Sequence, residues 1–243
     1  MKKWISTIVL ILLVGYVVFA AIAFSNKPAE QMCKGVKLEI TDSVEVGYLN
    51  TADVLALLQK SGLDPTGMPM EEVSLRAIEQ ALMTSPLIRI SECYKTINGY
   101  VVIDVKCRVP ILRVIANSGD SFYLDEEGEV IEHIAKAVYI PVATGYVSRE
   151  YAQEHLLPLA QYLQGNELWN AQIEQIQVTA RGEIELVPRV GNHVIELGKP
   201  GNYAYKLSKL ETFYEKGLNQ IGWEKYSRIN LDYGNQVIGS KTR

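Results

Sequence analysis

The sequence predicts an α+β protein with an N-terminal transmembrane helix, a small β-α-α-β-β unit and a larger, mostly antiparallel β domain with two helices. Three observations lead to this prediction: an uncharged apolar block near the N-terminus, alternating periodicity from residue 88 onward, and frequent turn signals beyond residue 110. The formal net charge is −4, from 24 basic and 28 acidic residues. Since the basic residues are scattered, this composition argues against a nucleic-acid-binding protein.

The apolar block extends from Trp4 to Phe24 and contains no charged residue. A helix of about 20 apolar residues crosses the hydrocarbon core of a membrane, so residues 4–24 are predicted to be a retained anchor. A cleaved signal peptide is the alternative, but its apolar region is typically about 7–15 residues long. Lys2 and Lys3 predict a cytoplasmic tail of residues 1–3, with everything after Phe24 outside the membrane.

A small unit is predicted over residues 35–108, after a polar linker of residues 25–34. Alternation in Val36–Ile40 indicates a strand, and two helical patterns follow, one from Thr51 to Gly62 and one from Pro69 to Pro86. Asn98-Gly99 lies between two strand-like runs and predicts a hairpin with a two-residue turn.

The hairpin register bears on the three cysteines, Cys33, Cys93 and Cys107. A two-residue turn would pair Tyr94 with Ile103 and place Cys93 and Cys107 on opposite faces, which excludes a disulfide between them. A bond from Cys33 to either of the others remains open. No Cys or His cluster has the spacing of a zinc site.

The larger domain is predicted over residues 109–243. Strands are expected at residues 111–116, 122–124, 173–179, 184–188 and 193–197, with helices that begin near Ser148 and after Asn202 and a last strand from Ile229 to Ile238. The acidic run Asp125–Glu129 lacks the alternating ligand spacing of a calcium loop and is interpreted as a solvated hairpin tip.

Catalytic motifs are missing from the sequence. The three histidines have no metal-ligand spacing, and there is no nucleophile elbow, P-loop or dinucleotide-binding fingerprint. We therefore expect no catalytic, cofactor-binding or metal-binding residues, and neither a cofactor nor a small-molecule substrate.

Four segments in their order match the motifs of one family: Ser85-Pro86-Leu87-Ile88, the run from Ile103 to Pro110, Tyr123-Leu124-Asp125-Glu126-Glu127-Gly128, and the run from Arg228 to Ile238. By these segments the chain resembles the FtsQ/DivIB bacterial cell-division proteins. The resemblance implies a POTRA domain at residues 35–108 and a β domain at residues 109–243.

The function that this resemblance implies is that of a non-catalytic, single-pass scaffold of the division machinery (the divisome). It would lie in the inner membrane at the division septum, with its C-terminal domain in the periplasm. FtsB-like and FtsL-like bitopic proteins would be its partners. Two alternatives remain: a POTRA-containing component of envelope biogenesis or secretion, and a membrane-anchored envelope enzyme.

The last predicted strand is the candidate partner-binding site. It is the final element of the fold, so one of its edges can be unpaired and can accept a strand from another chain. The candidate residues are Ile229, Leu231, Tyr233, Asn235, Gln236 and Val237. The alternative is that the apolar side chains of this strand simply pack the β domain.

Overall fold

The computed structural model describes residues 12–20, 31–41, 49–134 and 137–242. Residues 12–20 are helical and belong to the predicted anchor at residues 4–24; the rest of that anchor and the tail at residues 1–3 lie outside the described residues. Within the described ranges, no helix is both long enough and apolar enough to cross a membrane.

The chain divides into two compact units. Of the described residues, the first unit contains those within 1–41, 50–84 and 90–105, and the second contains those within 42–49, 85–89 and 106–243. Five elements lie in the N-terminal half in the predicted order: β1 (Gly35–Ile40), α1 (Thr51–Lys60), α2 (Leu75–Leu82), β2 (Ile88–Lys95) and β3 (Tyr100–Cys107). The three strands form a sheet in the order β1-β3-β2, with β1 parallel to β3.

The β2–β3 hairpin differs from its predicted register by one residue. The Thr96 N–H donates to the Tyr100 carbonyl at 2.8 Å, and the Gly99 N–H donates to the Thr96 carbonyl at 3.1 Å. The turn therefore has three residues, and Gly99, with φ +86°, takes the left-handed position that such turns require. The two-residue turn was wrong because Asn-Gly also suits this longer loop.

This register changes the faces on which the cysteines lie. The Tyr94 hydroxyl donates to Glu39, which is paired with Asp104 on the solvent face of the sheet. Cys93 therefore shares the opposite face with Ile103 and Cys107, so the predicted placement of the two cysteines on opposite faces is wrong. Cys93 lies opposite Ile103, four residues from Cys107 along the ladder, or about 13 Å. A disulfide needs Cα atoms within about 7 Å, so we still predict no bond between them.

Within the second unit, strands of the described residues form a sheet in the order β12-β11-β10-β9-β8-β7-β4-β5-β6. The β4–β7, β7–β8 and β10–β11 pairs are parallel and the other neighbours are antiparallel. The sheet is therefore mostly antiparallel, as predicted. The strands are β4 (Pro110–Ala116), β5 (Ser121–Asp125), β6 (Val130–Ile131), β7 (Val142–Gly145), β8 (Ile173–Val178), β9 (Ile184–Pro188), β10 (Val194–Gly198), β11 (Tyr226–Asn230) and β12 (Ile238–Lys241).

Two long helical segments of this unit begin where the sequence predicts. Ser148 caps the first, α3, which contains Arg149–Tyr151, a π-helical turn at Ala152–Leu156 and Leu157–Gln164. The second, α5, follows Asn202 and contains Tyr203–Phe213, a π-helical turn at Tyr214–Leu218 and Asn219–Ile221. The sequence did not predict β6, β7 or the short helix α4 (Glu167–Gln172), which supplies the fully buried Trp169.

The core of this unit contains one face of the sheet together with buried side chains of α3, α4 and α5. Along β9 to β11, buried residues such as Leu186, Ile195 and Ile229 alternate with half-buried polar residues such as Glu185 and Arg228. One face of the sheet is therefore apolar and the other is polar, which is typical of a sheet with helices on one side.

The acidic turn after β5 is not simply a solvated tip. Asp125 is only 1% exposed, and its Oδ1 accepts the backbone N–H groups of Glu127 and Glu129 at 2.9 and 2.8 Å. Its Oδ2 binds Arg108 Nη1 at 2.7 Å. The buried carboxylate of Asp125 thus stabilises the turn by accepting its backbone N–H groups. The sequence does not distinguish this residue from the acidic residues beside it.

Candidate partner-binding edge

The predicted last strand at residues 229–238 is instead a hairpin, so its prediction as one strand was wrong. β11 ends at Asn230, residues 231–237 form a loop, and β12 begins at Ile238. β11 pairs in parallel with β10, whereas β12 pairs with β11 in the antiparallel direction. In the described part of the chain, β12 is the terminal strand at this side of the sheet.

The backbone of β12 offers hydrogen-bonding groups on its outer side. The Leu231 N–H donates to the Glu196 carbonyl of β10, and successive residues of a strand point their backbone groups to alternate sides, so the groups of Asn230 point toward β12. Ile238 pairs with Asn230, so the backbone N–H and C=O groups of Ile238 point toward β11. Those of Thr242 do the same, since its N–H donates to the Lys225 carbonyl. The N–H and C=O groups of the alternate residues 239 and 241 point away from β11.

The six sequence-predicted residues fall into two groups. Ile229 and Leu231 are fully buried in the core of the second unit, where another chain has no access to their side chains. Tyr233 is 56% exposed, Asn235 and Gln236 are exposed, and Val237 is half-buried in the loop. The last four thus lie in the loop that leads into β12, and their binding to a partner stays a prediction.

Helix α5 holds the loop in place. Tyr205 donates its hydroxyl hydrogen to the Gly234 carbonyl or to Asn235 Oδ1, which lie 3.0 and 2.8 Å away. Lys206 Nζ donates to the Leu197 carbonyl at 2.7 Å and to Asp232 Oδ1 at 3.2 Å. The loop is therefore an ordered part of the second unit.

Gly198 is required where the loop passes the end of β10. Its φ is +71°, and a Cβ built there would lie 2.3 Å from Asp232 Cγ. A side chain at residue 198 would therefore displace the loop.

The polar face of the sheet next to the hairpin carries an ion-pair network. Arg228 donates to Glu185 and to Glu196, and Asn230 Nδ2 donates to Glu196 Oε2 at 2.6 Å. The hydrogen bond that Arg228 donates to Glu196 and the charges of both carboxylates raise the pKa of Arg228. This network connects β9, β10 and β11 and aligns the strand on which β12 is built.

The helix-covered face of the hairpin depends on a glycine. A Cβ on Gly239 would lie 2.5 Å from Cδ1 of Tyr226, whose ring in turn packs against Phe213 with centroids 5.7 Å apart. The ring of Tyr226 thus occupies the space beside β12. Sequence reasoning missed Gly239 and Lys241 because it assigned residues 231–237 to a strand, although Asp232, Gly234 and Asn235 are turn-forming types.

Comparison with known families matches this part of the chain. A family model described as FtsQ/DivIB, C-terminal related, matches residues 109–240, which is more than half of the 243-residue chain. The chain belongs to the FtsQ/DivIB family. A model described as a POTRA-like domain matches residues 31–106 of this FtsQ/DivIB protein. A comparison with curated proteins found no match.

The family assignment that the sequence motifs predict is therefore confirmed. The FtsQ/DivIB match ends within β12, so it contains the whole loop and nearly all of the C-terminal hairpin. The POTRA-like match contains β1, α1, α2 and β2 and nearly all of β3.

Proposed function

We propose that this FtsQ/DivIB protein is a non-catalytic, bitopic scaffold of the bacterial division machinery. Its N-terminus is cytoplasmic, residues 4–24 anchor it in the inner membrane, and its POTRA-like and C-terminal parts act in the periplasm at the septum. The family match supports a role in division. The outward backbone groups of β12 are the observation that supports a scaffold acting through protein–protein contacts.

The contact that we propose is addition of a strand to β12. An FtsB-like bitopic protein would place an extended segment against residues 238–241 and bond to the outward N–H and C=O groups of Gly239 and Lys241. Each such bond contributes about 0.5–1.5 kcal/mol net. The exposed side chains of Tyr233, Asn235 and Gln236 lie at the entry to the strand and would fix the partner's register. An FtsL-like protein would be the second member of the assembly.

The test separates the backbone of β12 from its side chains. Lys241→Pro removes an outward N–H and does not remove a bond of the β11–β12 ladder, whereas Lys241→Ala keeps that N–H and removes only the charge. We expect the proline variant, folded by circular dichroism, to lose capture of a tagged FtsB-like protein from membrane extract. The alanine variant should retain it. Equal capture by both folded variants would count against strand addition.

Topology and location need their own measurement. Alkaline phosphatase fused after residue 243 should be active in a membrane-bound product, and a fluorescent fusion should collect at the septum. A soluble product that begins near Phe24 would identify residues 4–24 as a signal peptide. An even distribution around the envelope would favour the alternative of a biogenesis or secretion component.

A further inference from the structure

Lys209 of α5 lies among the backbone carbonyl groups of the loop between β11 and β12. Its Nζ lies 2.9 Å from the Leu231 carbonyl oxygen, 2.6 Å from that of Tyr233, 2.9 Å from that of Gly234 and 3.4 Å from that of Gln236. An ammonium group has three N–H donors, so the three short contacts saturate it. One side chain thus holds most of the length of the loop.

These contacts are strong for their kind because the donor is charged. Hydrogen bonds from an ammonium group are about twice as strong as those between neutral groups. The converging carbonyl oxygens carry partial negative charges that would repel one another without the ammonium between them. Lys209 is half-buried. Burial and the neighbouring Lys206 lower its pKa, and Asp232 opposes that shift.

The loop decides where β12 begins. Leu231 is fixed in the core and bonded to β10, and seven residues later Ile238 pairs with Asn230. A looser loop would let β12 slip against β11, and a shift by one residue would turn the outward backbone groups inward. The geometry of the loop therefore determines which amides the sheet presents at its edge.

We propose that Lys209 is the positioning residue of the partner-binding edge. It fixes residues 231–236 and through them the start and register of β12. This inference rests on the proposed function for its consequence in binding, but the fixing of the loop is independent of any partner. Lys209 thus acts on the site through the loop and is distant in sequence from the strand that it positions.

Hydrogen exchange on the full chain in detergent tests the proposal. Lys209→Met keeps the apolar stem and removes the charge, and Lys209→Gln keeps two N–H donors. Lys216→Met is the matched control, because Lys216 is exposed on the same helical segment. We expect amides in residues 231–242 to exchange about tenfold faster or more in Lys209→Met, with Lys209→Gln between it and wild type. Peptides from β8 and β9 should not change, nor should the control.

Capture of the tagged FtsB-like protein then separates the two claims. Weaker capture by Lys209→Met, in the same order as the faster exchange, supports the positioning role. Unchanged exchange in residues 231–242 would overturn the proposal. Faster exchange with unchanged capture would overturn the positioning of the partner and leave Lys209 as a structural tether. The capture experiment with folded Lys241→Pro and Lys241→Ala tests the proposed function independently of Lys209. Equal capture by those two variants would argue against strand addition itself.

Discussion

Leu231 and Tyr233 are two residues apart in the sequence, yet the structure predicts opposite consequences when each is replaced by alanine. Leu231 is fully buried, whereas Tyr233 is 56% exposed in the loop. Truncation of a fully buried leucine to alanine costs about 2–5 kcal/mol, because it removes packed methyl groups and leaves a cavity. If Leu231→Ala lowers the free energy of unfolding by about 3 kcal/mol, the melting temperature of the second unit should fall by about 6–12 °C.

Tyr233→Ala should leave stability within about 0.5 kcal/mol of wild type, as is usual for exposed side chains. Unfolding followed by tryptophan fluorescence measures both effects, since Trp169 and Trp223 both belong to the second unit. We expect Tyr233→Ala to weaken capture of the FtsB-like protein at unchanged stability. Equal destabilisation by the two substitutions would refute the reasoning, since it would place Tyr233 in the core or Leu231 outside it.

Three further predictions concern the interior. Burial lowers the pKa of His193 and outweighs the opposing effect of Glu224, so the unfolded state binds the proton more readily. The second unit should therefore lose stability as the pH falls below about 6.5, and denaturation of His193→Gln should depend less on pH. Asp125→Ala should cost about 2–4 kcal/mol in urea denaturation, since it leaves Arg108 and two turn N–H groups without their acceptor, and an unchanged midpoint would contradict that role. Peptide mapping without reductant should recover no Cys93–Cys107 linked peptide, and finding one would contradict the observed hairpin register.

Much of the fold could be predicted because local patterns and tertiary packing agree. The helices after Ser148 and Asn202 carry apolar residues at helical spacing, and the same residues fill the core. In β8, β9 and β10 apolar residues alternate with polar ones in the sequence, and these apolar residues lie on the buried face of the sheet. Short elements such as the two residues of β6 are defined by a neighbouring strand rather than by their own sequence, so no period could reveal them.

The candidate site was harder to predict than the fold around it. Ile229, Leu231 and Tyr233 are spaced two residues apart, as apolar residues on one face of a strand would be. Only Ile229 and Leu231 are buried on that face, because β11 ends at Asn230 and Tyr233 lies in the loop. Beyond it, the carbonyl contacts of Lys209 stabilise a loop, a long-range effect that no local pattern encodes. The hairpin turn at Gly99 differs for a similar reason, since one dipeptide fits two loop lengths.

Crosslinking from β12 in living cells tests the central claim most directly. A photoreactive amino acid that replaces Ser240 lies on the edge strand β12. The matched control carries the same photoreactive amino acid in place of Arg181, which is exposed in the turn between β8 and β9. We predict that position 240 crosslinks to the FtsB-like protein and that position 181 does not. Crosslinking at position 181 with none at position 240, in chains that support division, would contradict binding at this edge.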